Sequence, residues 1–273
     1  MSGFAWGPAL LFCPADRPER YAKALERADA VILDLEDAVD PERRPAAREA
    51  VAASDLDPAR VIVRVNQAGT DDLAADLAAL AETAYRVVML PKAERVADLG
   101  ALAGYDVIAL CETAAGVLAA PELAGHSSVV ALMWGAEDLV ASLGGTSSRH
   151  ADGSYRDVAR HARSAVLLAA GAAGTAAIDT VHLDIADLAG LQAEAEDAVA
   201  VGFAATACIH PSQVAVIRAA YSPTPEEVAR ARELLAAAEA AGGGVFRHDG
   251  LMVDGPVLAH ARAVLRRSGA ETP

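Results

Sequence analysis

Residues 30–37 read AVILDLED, and this stretch decides the fold. Its apolar residues run on without the polar alternation of a strand that has one face in water. Continuous apolar strands are typical of parallel sheets, in which helices cover both faces. We therefore predict a buried parallel strand at Ala30–Leu35, with the acids Asp34, Glu36 and Asp37 at its carboxyl end.

Seven further stretches repeat this pattern, and amphipathic segments of helical character separate them. Eight buried strands joined by helical crossovers predict an α/β fold, the closed TIM-type (β/α)8 barrel. An open doubly wound sheet is the alternative, but residues 13–20, CPADRPER, are not the glycine-rich turn that usually follows its first strand. The seven stretches are Leu10–Pro14, Arg60–Asn66, Arg86–Pro91, Asp106–Cys111, Val129–Trp134, Ile178–Leu183 and Ala205–Ile209.

The pattern changes after Ser222. Residues 222–242, SPTPEEVARARELLAAAEAAG, predict a helix that Thr224 caps and in which Glu227 completes a capping box. A last helix is predicted at residues 257–267, VLAHARAVLRR. We therefore predict a barrel domain over residues 1–221 and a C-terminal helical extension over residues 222–273.

The composition argues against several classes of function. The 273 residues carry a net charge of −15, and so acidic a chain is a poor general binder of nucleic acid. The longest apolar run, Ala165–Ile178, is shorter than the roughly 20 residues of a membrane span. Cys13, Cys111 and Cys208 lie in apolar stretches without a CxxC pair, which indicates free thiols in a reducing compartment. We therefore expect a cytoplasmic protein that binds neither nucleic acid nor membranes.

Polar side chains follow seven of the eight predicted strands. In a (β/α)8 barrel the carboxyl ends of the strands meet at one mouth, where active sites lie. We therefore expect these side chains to share a functional mouth. They are Asp34, Glu36, Asp37, Arg64, Asn66, Lys92, Glu112, Glu137, Asp138, Asp184 and His210.

Glu112 and Asp138 follow neighbouring strands, which lie about 4.8 Å apart, so both carboxylates can reach one cation. Two carboxylates, with the other positions left to water and substrate, are the usual arrangement for Mg²⁺, and Mn²⁺ is the substitute we consider. No cysteine–histidine cluster in the sequence points to zinc instead. The alternative is that Glu112 caps the next helix and Asp138 pairs with a lysine.

Arg64 has a planar guanidinium that suits a carboxylate or an enolate oxygen. We expect it to bind substrate together with Glu36, Asp37 and Glu112. An ion pair between Arg64 and Glu36 or Asp37 is the other interpretation, and both can hold. Lys92 is expected to pair with these acids. A Schiff-base role for Lys92 is disfavoured, because the charges of the nearby acids would raise its pKa.

Eight motifs together resemble the citrate lyase β-subunit-like group of the HpcH/HpaI aldolase and malyl-CoA lyase superfamily, in its stand-alone acyl-CoA lyase type. They run in order over nearly the whole chain. They are LFCPADRPERYAKA (11–24), VILDLEDAV (31–39), VIVRVN (61–66), VMLPKAE (88–94), IALCETAAGV (108–117), MWGAEDL (133–139), CIHPSQ (208–213) and MVDGP (252–256).

The resemblance implies Mg²⁺ on Glu112 and Asp138, and it places Arg64 on the substrate. It implies contacts of Phe12, Arg17 and Lys23 with coenzyme A. It also implies a homotrimer or hexamer, in which the C-terminal extension acts as a lid over a neighbouring subunit. Asp254 would then be a catalytic acid or base across the subunit boundary, although the local pattern alone indicates a helix N-cap.

These features predict a Mg²⁺-dependent carbon–carbon lyase that cleaves or forms a β-hydroxyacyl-CoA thioester of the malyl, citramalyl or hydroxymethylglutaryl type. Its small-molecule ligands would be an acyl-CoA and a keto acid. One alternative is a class II pyruvate-type aldolase that acts on free hydroxy-keto acids. The other is a non-catalytic accessory barrel subunit.

Overall fold

The computed structural model describes residues 6–242 and 244–269. The chain divides into two compact units, Met1–Ile217 and Arg218–Pro273. The first unit holds eight parallel strands, each paired with the next, and the eighth pairs with the first to close the barrel. This confirms the predicted TIM-type (β/α)8 fold. The strands are β1 (Ala9–Pro14), β2 (Ala30–Asp34), β3 (Val61–Arg64), β4 (Val87–Leu90), β5 (Asp106–Cys111), β6 (Val129–Trp134), β7 (Ala176–Asp179) and β8 (Ala205–Cys208).

Helices follow most strands and cover the outside of the barrel. The segment after β4 is a 3-10 helix at Val96–Leu102. Shorter 3-10 turns at Pro18–Arg20, Pro41–Arg43 and Pro58–Arg60 each begin with a proline, which suits a first helical position. The α-helices of this part of the chain are α1 (Tyr21–Arg27), α2 (Arg44–Ala52), α3 (Asp71–Ala81), α4 (Ala114–Ala124), α5 (Ala136–Ser142), α6 (Asp157–Ala173), α7 (Leu188–Val201) and α8 (Pro211–Tyr221).

Alternate strand residues point inward and fill the barrel with apolar side chains. Ile32, Ile62, Met89 and Ile108 belong to this core and are almost fully buried. The residues between them point outward and pack under the helices, which explains why the strands read as continuous apolar runs. The interior is therefore solid, and polar groups gather only where the strands end.

The seventh strand differs from the prediction. β7 covers Ala176–Asp179, whereas the sequence indicated Ile178–Leu183. Val181 still packs against the barrel core, and the carbonyl of His182 accepts a hydrogen bond from the Gln213 side chain instead of a strand partner. The apolar pattern therefore continued beyond the strand. Asp184, predicted at this strand's end, lies in the following loop and accepts from the backbone of Ala186; its place in the mouth stays a prediction.

The second unit contains two helices and a hairpin. α9 (Pro225–Ala240) begins with the predicted capping box of Thr224 and Glu227. α10 (Gly255–Arg267) packs on it through a small apolar cluster. Between them, β9 (Phe246–His248) and β10 (Leu251–Val253) form an antiparallel pair, which the sequence analysis did not predict. The lid function and the boundary at residue 221 stay predictions.

Candidate active site

Arg64 is the last residue of β3 and lies beside Asp34, the last residue of β2. Its Nε and Nη2 atoms donate to the two carboxylate oxygens of Asp34 at 2.8 and 2.5 Å. Nη1 lies 3.1 Å from Glu36 Oε2, and the guanidinium stacks over the Phe12 ring at 5.0 Å. Burial alone would lower the pKa of Arg64, but Asp34 and Glu36 outweigh it and raise that pKa. Arg64 is therefore a permanently charged and immobilised group.

The acidic loop after β2 divides its work. Asp34 accepts from the backbone N–H groups of Glu36 and Ala38, which fixes the turn in addition to holding Arg64. Glu36 is buried between Arg64 and Lys92. Asp37 is exposed and contacts Lys92, not Arg64, so the predicted Arg64 pair holds for Glu36 and is wrong for Asp37. The sequence prediction did not include Asp34 as the main partner of Arg64.

Glu112 directly follows β5 and is only 2% exposed. Burial and the nearby charge of Asp138 raise the pKa of Glu112 to about 8. Asp138 lies in the first turn of α5, just after β6. Gly135 passes so close to Glu112 that an added Cβ would lie 2.9 Å from both its Cβ and its Oε2. A buried carboxylate beside a second one is a donor set that a hard divalent cation would stabilise, so these residues fit Mg²⁺.

Lys92 shows that four of the acids of the mouth converge. Its Nζ lies 2.5 Å from Glu36, 3.4 Å from Asp37, 3.9 Å from Glu112 and 3.8 Å from Asp138. The predicted pairing of Lys92 with the acids is confirmed. Burial would lower the pKa of Lys92, but the hydrogen bond to Glu36 and the surrounding charges raise it. A neutral amine for Schiff-base chemistry is therefore disfavoured.

The backbone of Lys92 also takes part, because its N–H donates to Glu112 Oε1 at 3.1 Å. Lys92 has a φ of 48°, in the left-handed region that few non-glycine residues adopt. The alternative in which Glu112 caps the next helix is wrong, because Thr113 caps α4. Asp138 does lie near a lysine, as the other part of that alternative expected.

A cavity of about 330 Å³ opens at this end of the barrel. Both charged groups and apolar side chains line it. Glu112, Asp138 and Arg64 all line it, so the structure brings together the three residues on which the predicted chemistry depends. The charged lining comprises Asp34, Asp37, Arg64, Glu112, Glu137 and Asp138, and the apolar lining includes Phe12, Leu110, Met133, Val181, Leu183 and Ile209.

The remaining predicted residues lie in different environments. Arg17 and Lys23 are exposed on the segment after β1 and do not line the cavity, whereas Phe12 does. Asp254 lies in the second compact unit and caps α10, where it accepts from Val257 N at 3.4 Å. The N-cap is therefore confirmed. The roles of Arg17, Lys23 and Phe12 toward coenzyme A, and of Asp254 in catalysis, stay predictions.

Asn66 was expected in the mouth, but its side chain points away from the mouth, toward α3. Its amide donates to the carbonyl of Leu35 at 3.0 Å and to Asp76 at 2.8 Å. Asp76 is fully buried on α3 and also pairs with Arg48 of α2. Asn66 therefore supports the loop that carries the acids. Sequence spacing alone contained no signal for Asp76, because the contact joins two different elements.

The chain is similar to several known proteins. The family model described as HpcH/HpaI aldolase/citrate lyase matches residues 9–211. A citrate lyase subunit beta-like protein of Mycobacterium tuberculosis is 59% identical over 268 residues, covering 98% of each chain. A protein of Cereibacter sphaeroides named (3S)-malyl-CoA thioesterase is 35% identical and covers 96% of this chain and 94% of its own.

A solved structure is also similar throughout. The CitE protein of Mycobacterium tuberculosis, in complex with magnesium, acetoacetate and coenzyme A, superposes with a TM-score of 0.92. It shares 60% sequence identity, and the match covers 97% of this chain and 99% of that one. The motifs, the closed barrel and these similarities agree. The chain belongs to the HpcH/HpaI aldolase/citrate lyase family.

Proposed function

We propose that this chain is a Mg²⁺-dependent carbon–carbon lyase for a β-hydroxyacyl-CoA thioester of the malyl, citramalyl or hydroxymethylglutaryl type. It would release acetyl-CoA or a related acyl-CoA and a keto acid, or join them in reverse. The proposal rests on one observation: Glu112, Asp138 and Arg64 line the same cavity. Cleavage next to a carbonyl develops negative charge on oxygen, and such charge is stabilised best by fixed positive groups in a site that excludes water.

Glu112 and Asp138 are the residues that would hold the cation. Their fit rests on the donor set, because the buried carboxylate of Glu112 and the carboxylate of Asp138 line one cavity; a cation there would offset the burial and repulsion that raise the pKa of Glu112. When bound, Mg²⁺, or Mn²⁺ in its place, supplies the positive charge that stabilises oxyanion character in the transition state. The magnesium in the related CitE structure supports this assignment by similarity.

Arg64 would hold the carboxylate or carbonyl end of the substrate. Asp34 and Glu36 already fix the guanidinium, so it needs no reorganisation when the substrate arrives. A preorganised donor is more effective than a mobile one, because no ordering cost falls on the reaction step. The Phe12 ring against the guanidinium restricts its orientation further.

The bond changes follow ordinary retro-aldol chemistry. A base takes the β-hydroxyl proton, the oxygen electron pair forms the keto group, and the Cα–Cβ bond breaks to leave a thioester enolate. Asp254 in its carboxylic acid form would then give a proton to Cα. We propose that this Asp254 comes from a neighbouring subunit of a homotrimer or hexamer. Its N-cap contact with Val257 would keep the carboxyl group in place on α10.

Phe12, Arg17 and Lys23 are the proposed contacts with coenzyme A. Arg17 and Lys23 are exposed cations in a chain of net charge −15, which suits the phosphates of a CoA thioester. A class II aldolase would have no use for them. Arg17→Ala should raise the KM for an acyl-CoA, whereas unchanged kinetics would favour the aldolase alternative.

Thioester hydrolysis is the second candidate, because one relative is named a (3S)-malyl-CoA thioesterase. In that case water would attack the thioester carbonyl of the hydroxyacyl-CoA, the C–S bond would break, and CoA would leave as the thiol while the Cα–Cβ bond stays intact. A hydrolase releases free CoA and a hydroxy acid, whereas a lyase releases an acyl-CoA and a keto acid. Product analysis therefore distinguishes the two reactions directly.

The test is a panel of β-hydroxyacyl-CoA thioesters incubated with the protein, with and without Mg²⁺. We expect a keto acid and an acyl-CoA in equal amounts, and only with the metal. Free CoA as the first product would favour the thioesterase. Metal binding without turnover of any acyl-CoA or hydroxy-keto acid would favour an accessory barrel. Cys13 and Cys111 are buried free thiols, and they support our proposal of a cytoplasmic location.

A further inference from the structure

A buried polar link lies on the outer face of the barrel, behind the mouth. Trp134 and Asp179 are the last residues of β6 and β7, and both point outward under α6 and α7. Trp134 Nε1 donates to Asp179 Oδ1 at 2.6 Å, and the tryptophan is 0% exposed. The indole is also held edge-on by Tyr155, with the ring centroids 5.4 Å apart.

Asp179 is neutralised from α6. Arg163 donates to it from Nε at 3.1 Å and from Nη2 at 2.8 Å. The same guanidinium donates to Asp197 of α7 at 2.6 Å and lies over the ring of Phe203 at 4.9 Å. Trp134, Asp179 and Arg163 therefore form one hydrogen-bonded group, which we call the rear clamp.

Packing alone does not require charges at this position. A buried ion pair must recover its desolvation cost, and apolar side chains of the same volume often stabilise a fold equally well. Directional hydrogen bonds do, however, fix the position of the groups that make them. The question is therefore what the rear clamp positions.

Trp134, at one end of the rear clamp, is joined through the backbone to the residues proposed to hold the cation. Trp134 lies level with Cys111 in the β5–β6 pairing, so the residues that follow each of them, Gly135 and Glu112, also lie side by side. Three residues after Gly135, Asp138 projects from the first turn of α5. A displacement of Trp134 would therefore shift Gly135 and Asp138, and it would change the close approach of Gly135 to Glu112.

The aspartate of the rear clamp is linked to residues that line the same cavity. Asp179 Oδ1 accepts the backbone N–H of Thr180 at 3.0 Å, and Thr180 and Val181 line the cavity. One carboxylate therefore ties the ends of β6 and β7 together. None of the three side chains of the rear clamp lines the cavity that holds Glu112 and Asp138. The rear clamp therefore acts on this cavity through other residues.

We propose that Trp134 is a positioning residue for the cation site and that it acts through its hydrogen bond to the Asp179–Arg163 pair. The inference rests on the proposed function only in assigning the cation to Glu112 and Asp138. The mechanical part, the fixing of residues 135–143 by the indole N–H, stands independently of it.

The test compares Trp134→Phe with Tyr85→Phe. Trp134→Phe removes the indole donor and keeps an aromatic ring. Tyr85 is a buried aromatic residue at the opposite end of the barrel, where its hydroxyl donates to Ser54 Oγ at 2.8 Å, so its phenylalanine variant loses a comparable bond away from the mouth. The two readouts are the Mg²⁺ dissociation constant by calorimetry and amide hydrogen exchange over residues 135–143.

Trp134→Phe is expected to weaken Mg²⁺ binding by about fivefold or more, approaching the ~10–100-fold losses seen for partners that hold a ligand directly. It should also raise exchange in residues 135–143 above the rest of the barrel. Tyr85→Phe should change neither quantity. Asp179→Asn, which keeps an oxygen that can accept from the indole but removes the charge that Arg163 neutralises, should act in the same direction.

Mg²⁺ affinity within about twofold of wild type in Trp134→Phe, with exchange raised evenly through the barrel, would overturn the inference, because a purely structural residue behaves in that way. If Trp134→Phe does not fold, Asp179→Asn decides by the same two readouts. If the wild-type protein binds no Mg²⁺, the proposed function fails, and the exchange pattern alone then decides whether Trp134 positions this segment.

Discussion

The contact between Gly135 and Glu112 allows a single methyl group to test the geometry of the site. Gly135 has φ −127° and ψ 125°, an extended conformation that alanine adopts freely. Gly135→Ala therefore causes no backbone strain. The new Cβ would lie 2.9 Å from both the Cβ and the Oε2 of Glu112, closer than real carbon contacts allow.

The magnitude follows from that overlap. Forcing an extra methyl group into a packed interior costs about 1–3 kcal/mol. Glu112 Cβ is fixed to its backbone, so the strain falls on the Glu112 side chain or on the start of α5. If about 1.4 kcal/mol of it is relieved by displacing Glu112, the affinity for Mg²⁺ falls about tenfold.

Calorimetric titration with Mg²⁺ measures this loss, and thermal unfolding measures the strain. Gly171→Ala is the matched control, because its added Cβ meets nothing within 4 Å and it lies inside α6. That control should gain about 0.5–1 kcal/mol of stability from reduced backbone entropy and bind Mg²⁺ as wild type does. Wild-type affinity in Gly135→Ala would refute the assignment of Glu112 as a ligand whose position depends on Gly135.

Three further predictions follow from the same structure. Asp34→Ala removes the main partner of the buried Arg64 charge. The free energy of unfolding measured in urea should therefore fall by about 3–5 kcal/mol. A loss under about 1 kcal/mol would contradict the Asp34–Arg64 contact. The pKa of Glu112 is raised to about 8, so its protonated form dominates below that pH and Mg²⁺ must displace a proton. The affinity for Mg²⁺ should therefore fall about tenfold for each pH unit below 8, and calorimetry in buffers of different ionisation enthalpy should detect the released proton. An affinity that does not depend on pH would contradict the raised pKa of Glu112. Burial raises the pKa of Cys13 to about 11 and that of Cys111 to about 12, so the native protein should not react with a thiol reagent near neutral pH until it is unfolded, and rapid labelling of either residue would contradict its burial.

The barrel could be predicted because its strands are buried on both faces. A strand such as β5 reads as an uninterrupted apolar run, and the observed Asp106–Cys111 matches the predicted bounds. The site could be predicted for a related reason, since carboxyl ends of barrel strands share one mouth. Glu112 and Asp138 therefore converge even though 26 positions separate them in the sequence.

The sequence-based predictions are wrong or incomplete where contacts between distant residues, and not the local sequence pattern, determine the structure. β7 ends at Asp179, whose side chain accepts from Arg163 and Trp134, while the apolar pattern continues into Val181. The contact between Trp134 and Asp179 joins residues 45 positions apart, and no sequence pattern predicts it.

The hairpin of the second unit did carry a local signal. Asp249 and Gly250 have φ values of 46° and 78°, as a tight turn of the type I′ class requires. An Asp-Gly pair between short apolar stretches is a known indicator of such a turn. The strands Phe246–His248 and Leu251–Val253 could therefore have been predicted from residues 245–253, VFRHDGLMV.

The most direct test of the account is the location of a bound divalent cation. Crystals grown with Mn²⁺ in place of Mg²⁺ allow the metal to be located by its anomalous scattering. We predict one strong peak within ligand distance of both Glu112 and Asp138, on the cavity side that Arg64 lines. A peak bound elsewhere, or none at these two carboxylates at saturating Mn²⁺, would contradict the account.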